Sequence, residues 1–185
     1  MGRRQLPLYV GPVTVVLTDL PEPQVSILST RQDDLARYAA VPEVAALGWP
    51  LDVVEQWLFD HLESGEFISD YGHVDLSAIT WQRLDLPTAA YLDMPTGAAG
   101  RAYFERVPSL HAHWTSNRPG ASEAWAEAGT WLRPPIVLAR PLIDPSSTGW
   151  EVVEGRTRVG TLRGRVADGL HIAEAHAAWV GMPLT

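Results

Sequence analysis

No cysteine and no lysine occur in these 185 residues. The first absence excludes disulfides, thiolate metal ligands and cysteine nucleophiles together. The second excludes a Walker-type phosphate lysine and Schiff-base chemistry. All 14 basic residues are arginine, a bias that a GC-rich genome also produces. No apolar run approaches the roughly 20 residues that a membrane-spanning helix needs. Leu6 to Leu20 is apolar-rich but broken by Pro7, Pro12 and Asp19 and has no small-residue cleavage site. Despite Arg3 and Arg4 it is therefore not read as a secretion signal. Positive charge is scarce too: the formal net charge is −8. Sequence-independent binding to duplex DNA draws on counterion release by a cationic surface, so duplex DNA is a poor partner. A local arginine cluster can still bind a small anion inside an acidic protein, a combination that favours a small-molecule anion or nucleotide over a duplex. The expected setting is a bacterial cytoplasm without membrane contact, with a homodimer left open.

An apolar fraction of 46% and a charged fraction of 19% belong to a globular protein. The length suits one domain, or a core domain with an extension. Val13 to Leu17 and Val25 to Leu28 are short β-prone runs separated by Pro21 and Pro23, which read as two short strands or an extended arm. Thr30 with Asp33 forms a capping box for a helix to about Ala40. Leu51, Val54, Leu58 and Leu62, widened by Val53 and Trp57, predict a helix that Gly65 ends. Further on, Ile79 to Leu86 reads as a strand and Pro87 opens a short helix. Another helix is predicted around Tyr103, Phe104 and Val107, and one from Ser122 to about Trp131 after the TSNRPG loop. The tail through Ala178, Trp179 and Val180 is expected to close the sheet as a final strand.

Several polar constellations are weaker. His111 and His113 in LHAHW would share one side of a strand, as a metal pair needs, but no third ligand has metal-motif spacing, so no metal site is expected. Asp70, His73 and Asp75 form the densest acid–base cluster outside the arginines. A phosphotransferase or nuclease needs such a carboxylate to orient a nucleophile or hold Mg²⁺, but polar residues at a turn are also ordinary, and the residues alone favour that reading. Gly97 to Gly100 lacks the strand-to-helix setting of a dinucleotide fingerprint. Of the eight tryptophans, Trp49, Trp57 and Trp81 sit in apolar patterns and read as core. Trp114 and Trp131, near loops, are candidates for a pocket wall.

The most informative stretch is Gly149 to Gly169, GWEVVEGRTRVGTLRGRVADG. It reads as a strand (Trp150, Val152, Val153), a turn at Gly155, and a helix that opens on arginines. Free backbone N–H groups and the positive end of the helix dipole make such a junction a site for anions. Arg156 and Arg158 add planar forks suited to phosphate or carboxylate, and Thr157 adds a hydroxyl. Val159, Leu162 and Val166 form a core-facing stripe, with Arg163 expected on the exposed side. The same spacing also fits an amphipathic helix with solvated arginines.

Residues 134–166 resemble the core of the ParB/sulfiredoxin-like fold. The resemblance rests on a proline-led strand (PPIV), a second strand ending in Glu154-Gly155, and a GxxR box, Gly155 to Arg158, opening a helix. It implies an α/β (α+β) fold: a small mixed sheet with surrounding helices over 74–185, and a largely helical N-terminal extension, 1–73, packed on it. It also implies that Gly155, Arg156, Thr157 and Arg158 grip the phosphates of ATP or another NTP, with Mg²⁺. Glu154, and Asp75 from the acidic cluster, would be the catalytic carboxylates of an ATP-dependent small-molecule phosphotransferase. The chain departs from the family in two places. ParB proteins usually carry a second charged residue and an arginine at the positions of Arg156 and Thr157. Sulfiredoxins carry their catalytic cysteine where Arg156 stands, which excludes their chemistry. Only 16 residues follow Gly169, too few for the DNA-binding domain of ParB proteins. The alternative to an enzyme is a regulatory module, or a nuclease-like protein, using the same anion site. Acidic side chains from the N-terminal half converging on Arg158 would favour the enzyme, and an apolar wall the module.

Overall fold

The computed structural model describes residues 14–184. Thr30 caps α1 (Arg31–Ala39): its hydroxyl accepts from Asp33 N while Asp33 reaches back to Thr30 N at 3.2 Å, the reciprocal box expected of these two residues. A short α2 (Pro42–Ala45) follows, then α3 (Leu51–Val53), which runs on as π-helical turns over Val54–Phe59. Val53, Val54, Trp57, Leu58 and Leu62 are buried, whereas Leu51 is 52% exposed. After α4 (Gly65–Tyr71) comes β1 (Ile79–Pro87), whose closing proline leads into α5 (Thr88–Leu92). Three short helices, α6 (Arg101–Arg106), α7 (His111–Ser116) and α8 (Ala121–Glu127), precede β2 (Ile136–Ala139). The chain then forms β3 (Trp150–Glu154), α9 (Arg156–Ala167) and β4 (Ala175–Pro183). Among the described residues no helix is long and apolar enough to cross a membrane.

The fold is α+β, a four-stranded mixed sheet in the order β1-β4-β2-β3. β2 and β3 are antiparallel, β4 runs antiparallel to β1, and β4 is parallel to β2 with Ile136 opposite Trp179. Alternation along the strands sends residues into two separate cores. Ile136, Leu138 and Val153 join Val53, Trp57, Tyr71 and the rest of the N-terminal helices on one face. Val137, Val152, Ala178 and Val180 face α5 to α9, meeting Tyr91, Phe104, Trp125, Val159 and Leu162. The segment before Val74 thus shares one core with the sheet.

Four expectations need correction. Val25 to Leu28 is no strand: Val25, Ile27 and Leu28 are 76%, 101% and 93% exposed. The backbone there is satisfied locally, Ser26 N donating to Asp34 Oδ2 at 3.2 Å and Leu28 N to Ser26 Oγ at 3.1 Å, which replaces a ladder. In the first run, Val13 lies outside the described residues and Leu17 starts a 3₁₀ turn, Leu17–Asp19. The helix after TSNRPG ends at Glu127, leaving Trp131 in the loop before β2. The C-terminal segment is the strand expected of it, and it lies in the centre of the sheet, between β1 and β2. Gly181 makes this possible, because a Cβ there would come within 2.4 Å of Leu138 Cδ2. Finally, Arg163 is half-buried: its guanidinium lies 4.3 Å over the Phe104 ring and donates to the Tyr91 and Met94 carbonyl oxygens. The stripe beside it holds, with Val159 and Leu162 fully buried.

β4 also carries His176, 1% exposed beneath Trp131 and Tyr91. Thr88 Oγ1 donates its single proton to the Ala173 carbonyl at 2.7 Å, so at 3.0 Å from His176 Nε2 it accepts. Nδ1 then accepts from Thr130 Oγ1 at 2.7 Å, which fixes the neutral Nε2–H tautomer. Burial pulls this imidazole down to about 4. A base whose folded pKa lies below its unfolded value of about 6.5 stabilises the fold fully above pH 6.5. That contribution, roughly 3 kcal/mol, is lost as the pH falls from 6.5 towards 4. Urea unfolding of the wild type should therefore weaken more steeply over this interval than that of His176→Gln. Parallel pH profiles for the two proteins would show the histidine to be unimportant.

Candidate functional site

The junction of β3 and α9 is shaped by Gly155. Its φ of +96° lies in the left-handed region, and a Cβ would come 2.4 Å from Pro135 Cβ, so this turn requires glycine. The first intrahelical bond is Val159 N to Gly155 O, at 2.9 Å. The N–H groups of Arg156, Thr157 and Arg158 thus have no acceptor within the helix.

The three side chains that follow do not act as one grip. Arg156 turns inward and is 9% exposed. Its Nε donates to Thr96 Oγ1 at 2.8 Å, its two terminal nitrogens lie 3.6 Å from Glu66 and Asp70, and its guanidinium sits 5.3 Å over Phe67. The glycines at 97 and 100 make room for this cluster: a Cβ at Gly97 would overlap Asp70, and one at Gly100 would overlap Arg156. Arg158 points the other way, ion-paired to Glu154 and donating to the Arg133 carbonyl at 3.2 Å. Its Nε is buried without a hydrogen-bond partner. Burial pulls the Arg158 guanidinium below the ordinary arginine value, against the opposing pull of Glu154. Thr157 stands between the two arginines, its hydroxyl 2.8 Å from Tyr103 Oη.

Two cavities of about 320 Å³ each open on either side of this turn. The first has a wall of Trp114, Trp125, Trp131 and Leu132, and Arg118, Arg133 and Arg158 face it. Arg133 is bound to Asp52 at 2.6 Å and to Glu55. Arg118 lies 5.5 Å over the Trp114 ring and has no carboxylate partner among the described residues. The second cavity is lined by Arg156, His61, Ser64, Glu66, Phe67 and Tyr103. Arg118, Glu154 and Thr157 line both.

Of the residues expected from sequence, Glu154, Thr157 and Arg158 border the first cavity, and Glu154, Gly155, Arg156 and Thr157 border the second. Asp75 is elsewhere. Its carboxylate accepts from Val15 N at 3.2 Å and Ser77 N at 3.0 Å, capping a 3₁₀ turn, and it borders neither cavity. Burial would raise this carboxyl, but the bonds from Ser77 and Val15 outweigh it and hold it below the usual range. The acidic cluster around it is dispersed: Asp70 caps Ala99 N at 3.0 Å and His73 Nε2 meets the Ile143 carbonyl at 2.9 Å. His111 and His113 lie on α7 rather than a strand, and residues two apart on a helix do not share a face. His111 is engaged by Asp168 at 2.8 Å instead. Among the described residues no three histidine or carboxylate side chains are grouped to hold a metal.

Sequence reasoning missed Arg118, Arg133, Trp125 and Asp60. Each is brought to the cavity by tertiary packing and none carries a local motif. Against known proteins, no family model, no curated protein and no solved structure matches this chain.

Proposed function

We propose that the protein binds a nucleotide, its base against the tryptophan wall of the first cavity and its phosphate between Arg158, on the N-terminal turn of α9, and Arg118, in the turn before α8. The observation that carries this is the meeting, in one cavity, of three arginines and three indole rings, with Thr157 and Arg158 of the first turn of α9 on its wall. Aromatic faces take planar bases and arginine forks take phosphate oxygens. The resemblance of residues 134–166 to the ParB/sulfiredoxin-like fold supports the same reading.

A module without chemistry is favoured over a phosphotransferase. The carboxylates facing the first cavity are Asp60 and Glu154, and each already neutralises an arginine, Arg31 and Arg158. Mg²⁺ at a nucleotide is held by one or two carboxylates beside the phosphates. Here those carboxylates would have to abandon an ion pair to do so, and the donor set fits the metal poorly. Acidic side chains of the N-terminal half, Glu66 and Asp70, converge on Arg156 rather than Arg158.

Calorimetric titration with a nucleotide panel, followed in parallel by tryptophan fluorescence, tests this. Arg158→Ala should weaken binding by about 1.5–3 kcal/mol, the range for hydrogen bonds to charged groups. Arg158→Lys should recover only part, since a point charge cannot reproduce a fork. Arg106→Ala is the control, an exposed residue bordering neither cavity. Equal affinities for wild type and Arg158→Ala, or no binding by any nucleotide, would overturn the proposal. Release of ADP or phosphate from ATP and Mg²⁺ would restore the phosphotransferase.

A further inference from the structure

Resting on the nucleotide reading, the geometry points to a two-part ligand: a nucleoside diphosphate joined to a hydroxylated group, with the base in the first cavity and the second group in the other. The two cavities are not independent. They meet at a ridge made of Arg118, Glu154 and Thr157, side chains that line both. Thr157 brings the first turn of α9 to this ridge, where a bridging phosphate would sit. Each cavity alone, at about 320 Å³, lies at the small end of the roughly 300–1,000 Å³ typical of small-molecule sites. A conjugate with a second ring needs both.

The chemistry of the two sides differs in the sense such a conjugate requires. One is walled by tryptophan, suited to a base. The other presents the Ser64 hydroxyl, the Glu66 carboxylate and the Tyr103 phenol, with His61 stacked on Phe67 at 4.3 Å. Hydroxyl, carboxylate and imidazole together donate to and accept from the alcohol groups of a pentose or hexose, and offer little to a purely apolar substituent. Arg118 is suited to the position between them. It is exposed, borders both cavities, and has no carboxylate of its own among the described residues. Its charge is therefore open to a diphosphate, whereas that of Arg158 is shared with Glu154.

The experiment is calorimetric titration of the full chain with inorganic phosphate, AMP, ADP and ADP-ribose, for the wild type and Ser64→Gln. Ser64 makes no side-chain capping bond to α4, so the longer side chain should fill the second cavity without cost to the fold, which a melting curve checks. ADP-ribose should bind the wild type at least about tenfold more tightly than ADP, and Ser64→Gln should abolish that advantage while leaving ADP unchanged. Equal binding of ADP and ADP-ribose overturns the two-part site and leaves the nucleotide reading standing. So does an ADP-ribose advantage that survives Ser64→Gln. Failure of AMP, ADP and ADP-ribose alike overturns both.

Discussion

Leu162→Ala should lower the stability of the protein by about 2–5 kcal/mol, the range for truncating a buried leucine. Leu162 is fully buried within the cluster that also holds Tyr91, Phe104, Val137 and Val159. Collapse around the missing atoms is restricted on the neighbouring face of α9. There Gly160 and Gly164 already lie so close to Val107 and the Pro108 carbonyl that a Cβ would approach them to 2.5 and 2.3 Å. A cavity that cannot collapse puts the cost in the upper part of the range. Leu132→Ala, on a side chain 67% exposed, should change stability by no more than about 0.5 kcal/mol. Urea midpoints of the two variants measure the contrast, and similar values would mean that the face of α9 packed on the sheet has been misidentified.

Gly155→Ala should be nearly as damaging, for a different reason. An L residue held at φ +96° costs about 1–3 kcal/mol in backbone strain. The added methyl also meets Pro135, 2.4 Å from Cβ and 3.0 Å from Cα, an overlap with rigid neighbours worth a further 1–3 kcal/mol or so. Gly149 provides the comparison: its φ is +84° but no atom lies within 4 Å of the site of its Cβ. Gly149→Ala should therefore show the strain alone. Chemical denaturation of both variants separates the two contributions, and equal losses would remove the role assigned to Pro135. Since Gly155 also orients the first turn of α9, its variant should lose nucleotide affinity as well, while Gly149→Ala keeps it.

What was legible in the sequence was local. The capping box at Thr30, the proline that ends β1, and the paired runs PPIV and WEVV all rest on chemistry within a few residues, and each stands where its pattern places it. The turn at Gly155 and the buried stripe of α9 belong to the same kind. Elements settled by distant partners were not legible. Val25 to Leu28 has strand composition but its backbone is bonded to Asp34 and Ser26 instead of a ladder, and the alanine-rich tail gives no sign that it will occupy the middle of the sheet. In the site, the GxxR spacing marks the turn correctly, yet it cannot tell which way each arginine faces. Arg156 is turned inward by Thr96, 60 residues away, and by Asp70, while Arg158 meets a carbonyl 25 residues away. Arg118 and Arg133 reach the cavity only because the loops that carry them are packed there, so no spacing rule singles them out.

The central position of the last strand also bears on how the protein is made. Among the described residues β4 is the only strand that pairs with both β1 and β2, and its ladder with β1 joins Ile79 to Pro183 and Pro87 to Ala175. At synthesis rates of about 5–20 residues per second, β1 waits several seconds for its neighbour to emerge. During that interval β1 has no strand partner among the described residues, and β2 has only β3 among them. Unpaired strand edges are templates for other chains. The nascent protein is thus most open to aggregation, and most in need of a chaperone, in the interval before β4 emerges. Sheet assembly should be a late, slow step, in the millisecond-to-second range of non-local pairings.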